Sequence, residues 1–340
     1  MTNIMPKPFK AVDFNEKAIR KVIEESGSVT AEVKYDGVRG CIVVTPEGVT
    51  FLSRVGKTIP ALSWLDGFNS AFDKVRLDDR NPFRAGFMID CELMVKGVDF
   101  NTGAGLLRTE WAAEHNFPFN LNPHAEPDTK KSHKVAFELD PAQVEARVIA
   151  VLPLDAVVSG DEYAVNSALM AYHAANLVSI LRDHKGTAID WRMPEAVEVF
   201  DYDDLEILFR EKRAEGHEGL IIKDPLCNYK RGKKSGWFKL KPNNEADGHV
   251  VGVVWGTEGL SNEGKVIGFD VLLESGRVVS ATNISRTLMD EFTANVKKDP
   301  EFYRGYAVQI TYMEETPDGS LRHPSFDKFR GTEADPCTKM

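Results

Sequence analysis

Lys34 is the residue best placed to do chemistry. It lies between a short β-like run, residues 29–33, and a tight Asp36-Gly37 turn, and Arg39 completes the pattern K-x-D-G-x-R. A lysine held at a strand-to-turn junction can act as a nucleophile. Ionisation is the obstacle. With an intrinsic pKa of about 10.4, only about one lysine in a thousand is neutral near pH 7.5, a deficit of about 4 kcal/mol. Neighbouring positive charge and partial burial both lower such a pKa.

Further residues could supply that environment. Lys239 and Lys241 lie two apart on a strand-like stretch, so their side chains share a face. If that face meets Lys34, they disfavour its protonated form and attract phosphate. Lys223 ends an apolar run that Glu218 opens, and Glu92 sits inside another, residues 87–95. A carboxylate in an apolar run is costly unless it is paired or bound to a metal. Mg²⁺ held through few carboxylates and substrate phosphates suits Glu92 and Glu218; salt bridges to nearby lysines are the plainer alternative. Asp90 can assist or simply cap a turn. Arg39 and Arg54 can clamp phosphate or reach a ribose.

These residues need positioning elements. Helical spacing marks 14–25, ended by Gly27, and also 167–183 and 203–215. Strands are expected at 29–33, 39–45, 49–52, 87–95, 218–223 and 236–241, and a bent one at 147–158. Gly103-Ala104-Gly105 reads as a turn, and residues 111–145 as an insertion of loop and fragmentary helix. Beyond a polar junction at 243–248 come strands at 249–255, 265–273, 277–281 and 306–313, with a helix at 285–296. That spacing suggests a small five-stranded barrel of the OB type, with the domain boundary near 243.

The 340 residues suit about two domains. No apolar run is long enough for a membrane span, and residues 1–10 lack the apolar segment of a secretory signal. Cys41, Cys91, Cys227 and Cys337 form no C-x-x-C pair, which argues against a zinc site or disulfide framework and fits a reducing compartment. The net charge of −10 argues against a nucleic-acid partner, but its distribution does not. Lys223, Lys230, Arg231, Lys233, Lys234, Lys239 and Lys241 crowd one stretch against a single acid, Asp224.

The ordered set K-x-D-G-x-R, Ser53-Arg54, D-x-E, E-G-h-h-h-K (h, apolar) and W-x-K-x-K spans residues 31–241. It resembles the covalent nucleotidyltransferases: ATP-dependent DNA ligases, RNA ligases and mRNA capping enzymes. Residues 93–108, 211–224, 229–242, 282–286 and 314–331 extend the likeness to the small DNA ligases of T-odd bacteriophages. The resemblance implies an α+β chain: an ATP-grasp-like nucleotidyltransferase domain with antiparallel sheets, residues 1–242, and an OB-fold β-barrel domain, residues 243–340. It implies Lys34 as the site of a lysyl-AMP intermediate, ATP contacts from Glu32 (through its backbone), Arg39, Arg54, Glu92, Ile149, Lys223, Lys239 and Lys241, and Mg²⁺ on Glu92 and Glu218. Ile149 stands where the family places an aromatic residue against adenine. The ending 322–330 resembles the last ligase motif, with Arg330 as its basic residue.

The implied activity is the sealing of nicks in duplex DNA during replication, repair and recombination, by a monomer in the host cytoplasm. Lys230, Arg231, Lys233 and Lys234 become candidate duplex contacts. The K-x-D-G motif alone also allows an RNA ligase or a guanylyltransferase. A non-catalytic nucleic-acid binder has no need of the full set of lysines and acids.

Overall fold

The computed structural model describes residues 4–113, 127–128, 134–136, 138–242, 244–282, 284–312, 314–315 and 319–331. It forms two compact units, Met1–Leu240 and Lys241–Met340. Most of the expected insertion at 111–145, the junction residue Asn243 and Cys337 lie outside the described residues.

The first unit holds two five-stranded sheets. Its principal elements are β1 (Phe9–Asp13), α1 (Glu16–Ser26), β2 (Val29–Lys34), β3 (Val38–Thr45), β4 (Gly48–Ser53), α2 (Ser70–Leu77), β5 (Phe87–Val95), α3 (Phe100–Leu107), β6 (Val144–Pro153), α4 (Ser167–Asp183), β7 (Asp190–Arg192), β8 (Ala196–Val199), α5 (Tyr202–Ala214), β9 (Gly219–Lys223) and β10 (Gly232–Leu240). The first sheet runs β1-β10-β9-β2-β8 and the second β7-β6-β5-β3-β4. Pairing is antiparallel except for the outer pairs β1–β10 and β7–β6.

Alternation along the strands divides the first sheet into two faces. Val29, Ala31, Leu220, Ile222 and Phe238 pack under α1 and α5 with Ile19, Tyr202 and Leu205. α1 forms because Ala18, Ile19, Val22 and Ile23 repeat at helical spacing. The Asn15 side chain caps its first turn, and Gly27 ends it at φ 82°, where a side chain would be strained. The opposite face carries Thr30, Glu32 and Lys34 on β2, Ile221 and Lys223 on β9, and Trp237 and Lys239 on β10.

The second sheet buries Ile42, Val44, Phe87, Ile89, Cys91 and Leu93 under its helices. Its other face meets the first sheet, where Cys41, Val43 and Met88 pack with Phe9, Tyr229 and Trp237. The polar groups of the two facing surfaces border this apolar contact.

The second unit contains β11 (Asn244–Trp255), β12 (Val266–Leu273), β13 (Val278–Ala281), α6 (Arg286–Lys298), β14 (Ala307–Tyr312) and β15 (Ser325–Gly331). Phe292 and Val296 of α6 pack with Phe269, Val271 and Ile310 of the sheet. The sheet order is β13-β12-β11-β14-β15. The expected small barrel of five strands is seen as a five-stranded sheet that stays open among the described residues. Among the described residues, the two edges meet at a single bridge, Thr282–Ser325, rather than along a ladder. β13, only four residues long, gives the edge little backbone to pair.

Other expectations shift. Residues 103–105 are helical within α3, not a turn. The bent strand at 147–158 is a strand that stops at Pro153 and turns into a helix, Leu154–Ser159. Short strands at Trp111–Ala113, Pro127–Asp128 and Lys134–Ala136 pair within the stretch read as loop and helix. No helix among the described residues is long and apolar enough to cross a membrane.

Candidate functional site: a cleft between two sheets

Lys34 ends β2 opposite Gly219 of β9. The turn that follows needs glycine at 37, because a Cβ there would lie 2.5 Å from the Leu93 carbonyl oxygen of β5. The Lys34 ammonium forms an ion pair with the Glu218 carboxylate. Its side chain is 25 % exposed, so the nitrogen stays within reach of a ligand. Here the structure departs from expectation. The ion-pair partner of Lys34 is an acid, not a pair of lysines. Lys239 instead reaches Asp13 of β1 at 2.9 Å. β10 ends at Leu240, so Lys241 follows the strand and falls in the second unit, partly buried.

One row further into the cleft, the Lys223 ammonium meets Glu32 at 2.6 Å, with side chains 5 % and 9 % exposed. It also sits 4.1 Å from the centre of the Trp237 ring. Burial pulls the Lys223 pKa below its ordinary value, and Glu32 offsets part of that fall. A buried lysine held charged by one acid is a ready counter-charge for phosphate.

On the facing sheet, Arg39 lies opposite Glu92. Its guanidinium forks onto Asp90, Nε at 2.5 Å and Nη2 at 2.8 Å. Asp90 is 0 % exposed and also accepts the Tyr229 hydroxyl at 2.7 Å. Asp90 therefore braces Arg39 rather than capping a turn. Glu92 is partly buried, and its pKa is pushed up to about 7 by desolvation. Arg39 and Lys34 oppose that rise, while Asp90 and Glu218 add to it. Glu92 and Glu218 thus lie in electrostatic range of each other and of Lys34.

Ile149 is packed against the apolar cluster of Met88 and Ala150, which lies between the two sheets. The register steps from Asp90–Ala150 to Cys91–Val148, so Ile149 is the extra residue of a β-bulge. Bulges re-aim side chains beside sites of this kind.

The cations at the edge divide. Arg54 is exposed in the turn after β4. Lys233 pairs with Asp13 at 3.0 Å, Lys230 donates to the Ser235 carbonyl at 2.9 Å, and Lys234 is exposed. Arg231 corrects the sequence reading. It is only 5 % exposed, and its Nη2 points to the Met5 carbonyl at 3.4 Å, so it presents no charge to a duplex surface. Arg330 lies in the second unit, bonded to Asp247 at 2.7 Å and Gln309 at 2.5 Å.

Sequence reading missed Lys10, Asp13 and Tyr229. Burial lowers the Lys10 pKa, followed by the charges of Arg54, Lys239 and Lys233. These four cations share a neighbourhood whose acid, Asp13, is held at about 2 by its bond to Lys239. The alternation of residues 9–13 is the one signal for this strand, and five residues is short for it. Tyr229 lay hidden among the basic residues that follow it.

A cleft with a part-exposed lysine at its mouth, carboxylates beside it and buried cations further in suits a polyphosphate and a hard metal ion. Residues 8–241 match the ATP-dependent DNA ligase domain, and residues 242–302 and 299–330 the DNA ligase C-terminal domain. The chain belongs to the ATP-dependent DNA ligases. It is 56 % identical to the DNA ligase of Enterobacteria phage T3 over 340 residues, covering 98 % of each chain. It is 53 % identical to the DNA ligase of Escherichia phage T7, covering both chains fully. The solved ATP-dependent DNA ligase of bacteriophage T7, in complex with ATP, superposes with a TM-score of 0.65 at 51 % identity, covering 96 % of this chain and all of that one. The chain is therefore an ATP-dependent DNA ligase of the T7 type, with a nucleotidyltransferase region followed by an OB-fold region.

Proposed function

We propose that this chain seals nicks in duplex DNA through three displacements at phosphorus, with Lys34 as the nucleophile. The Lys34 amine attacks the α-phosphate of ATP, a P–N bond forms, and pyrophosphate leaves. AMP then passes from the lysine to the 5′-phosphate at the nick, freeing the amine. The 3′-hydroxyl attacks that phosphate, AMP departs, and the backbone is closed. Positioning and charge neutralisation carry most of the catalysis in such steps.

The observation that carries this reading is the placement of Lys34, ion-paired with Glu218 and part-exposed at the mouth of the cleft. To attack, Lys34 must leave Glu218 and lose its proton. Lys223 and Lys239 neutralise phosphate charge, Arg39 and Arg54 hold ribose and phosphate, the backbone at Glu32 addresses the adenine, and Ile149 packs on its face. Lys241 and Arg330, by their place in the ligase motifs, are further phosphate-binding residues. Glu92 and Glu218 fit Mg²⁺: both are oxygen donors in partly desolvated positions beside Lys34, and burial disfavours the unligated Glu92 carboxylate. The bound metal supplies charge neutralisation on the phosphates.

Residues 1–242 act as the adenylation domain and residues 243–340 as the duplex-gripping domain, in a monomer that works in the host cytoplasm in replication, repair and recombination. Lys230, Lys233 and Lys234 contact backbone phosphates without reading sequence. The test is sealing of a singly nicked, end-labelled duplex with ATP and Mg²⁺. Full-length product is expected with ATP and not with GTP, and its absence from a folded preparation would overturn the reading.

A further inference from the structure

Arg39 is held by a closed ring of hydrogen bonds that spans both sheets. Its Nε and Nη2 donate to the two oxygens of Asp90 at 2.5 and 2.8 Å, and Nη2 also reaches the Phe9 carbonyl at 3.3 Å. The Tyr229 hydroxyl donates to Asp90 at 2.7 Å and accepts the Phe9 amide at 3.0 Å. Asp90 and Tyr229 are 0 % and 1 % exposed, so the ring lies where each bond is worth more than in water. Two further features make it more than packing. The Arg39 side chain is 22 % exposed, and among the described residues its Nη1 makes no hydrogen bond. Three contacts are used to aim one nitrogen.

We propose that Tyr229 is a positioning residue for nucleotidyl transfer: its hydroxyl fixes Asp90, and through Asp90 sets the angle at which Arg39 offers its unbonded Nη1 edge to the nucleotide. Without the hydroxyl, one Asp90 oxygen loses a donor and the carboxylate can rotate about its χ2. The Arg39 fork then follows it, while the Tyr229 ring keeps its edge contacts with Phe9 at 5.7 Å and Trp237 at 5.8 Å. Phe9 is anchored on β1, so the register of the first sheet's outer strand is coupled to the aim of an arginine on the second sheet. Burial raises the Tyr229 pKa well above its ordinary value, which keeps the hydroxyl a donor at working pH.

This inference rests on the reading that Arg39 works on the nucleotide, and the test separates the two. Single-turnover formation of the covalent AMP adduct is measured at saturating ATP for wild type, Tyr229→Phe, Arg39→Ala and the double variant, with rates normalised to active protein. Tyr229→Phe is expected to lose about ten- to a hundredfold in the first-order rate, the scale of a small misplacement in an active site, with the KM for ATP within about twofold of wild type. The double variant is expected to be no slower than Arg39→Ala, because the hydroxyl acts through Arg39. A Tyr229→Phe rate equal to wild type, or effects that multiply in the double variant, would overturn the proposal. An Arg39→Ala protein with a normal rate would instead overturn the role given to Arg39. Should Tyr229→Phe fail to fold, Asp90→Asn takes its place in the same cycle and must show the same lack of additivity.

Discussion

Replacing Glu32 by glutamine tests whether the buried Lys223–Glu32 pair holds the floor of the cleft. The charges are 2.6 Å apart with side chains 5 % and 9 % exposed. At an effective dielectric of about 20 their attraction is about 6 kcal/mol, before the desolvation of both ions is subtracted. Removing one partner leaves the other charge buried and uncompensated, which typically costs about 3–5 kcal/mol. Glu32→Gln keeps the shape and one acceptor, so a loss of about 3 kcal/mol is expected. Replacing both residues by methionine should recover most of it, because no charge is then left buried. pH supplies a signature. Lys223 already has a lowered pKa, caused by burial and offset by Glu32, so the variant lowers it further. A lysine whose folded pKa is depressed destabilises the fold below its unfolded value near 10.4. The deficit of Glu32→Gln is therefore largest near neutrality and shrinks as pH rises toward 10. Urea unfolding followed by tryptophan fluorescence at pH 7 and pH 9.5 measures both effects. A loss under about 0.5 kcal/mol at pH 7, or a deficit that grows with pH, would refute the argument.

Two further expectations concern the nucleotide and its metal. Glu92, raised to about 7 by burial, is a competent anionic ligand only above that pH, so the Mg²⁺ concentration giving half-maximal adenylation should rise about tenfold for each pH unit below 7. A midpoint independent of pH between 6 and 8 would remove Glu92 from the metal site. Ile149→Tyr restores an aromatic face at the bulge in β6 and should tighten ATP by about 0.5–1.5 kcal/mol, seen as a two- to tenfold lower KM; a higher KM would show that the bulge does not aim this position at the base.

Sequence carried a large part of this architecture because the strongest signals are local. β5 (Phe87–Val95) and α4 (Ser167–Asp183) were legible to their ends, the first as an apolar run with acids on one face, the second as a long periodic pattern. Boundaries were less legible where tertiary pairing extends a strand, as at β10, which begins at Gly232, before its apolar stretch. β1 was missed because five residues carry little period, and its pairing partner lies more than two hundred residues away. α3 was misread because Gly103 and Gly105 suggest a turn, yet the helix forms where Ala104, Leu106 and Leu107 can be buried.

For the candidate site, residue types at fixed spacing identified Lys34, Glu92, Glu218 and Lys223, while the pairing among them was not legible. Which acid meets which lysine depends on strand register: Gly219 falls opposite Lys34 and Lys223 opposite Thr30. Charge counting likewise treated Arg231 as one of a basic run, whereas alternation and the N-terminal segment bury it. Tyr229 was invisible for the same reason. Its role depends on an aspartate 139 positions earlier in the chain.

Whether Lys34 is the nucleophile is decided by one labelling experiment. Purified protein, shown free of bound AMP, is incubated with Mg²⁺ and α-labelled ATP or, in parallel, α-labelled GTP, then separated by denaturing electrophoresis beside Lys34→Ala. A covalent label is expected from ATP alone, absent from Lys34→Ala. Label retained by Lys34→Ala, or no label on folded wild type, would contradict that role for Lys34.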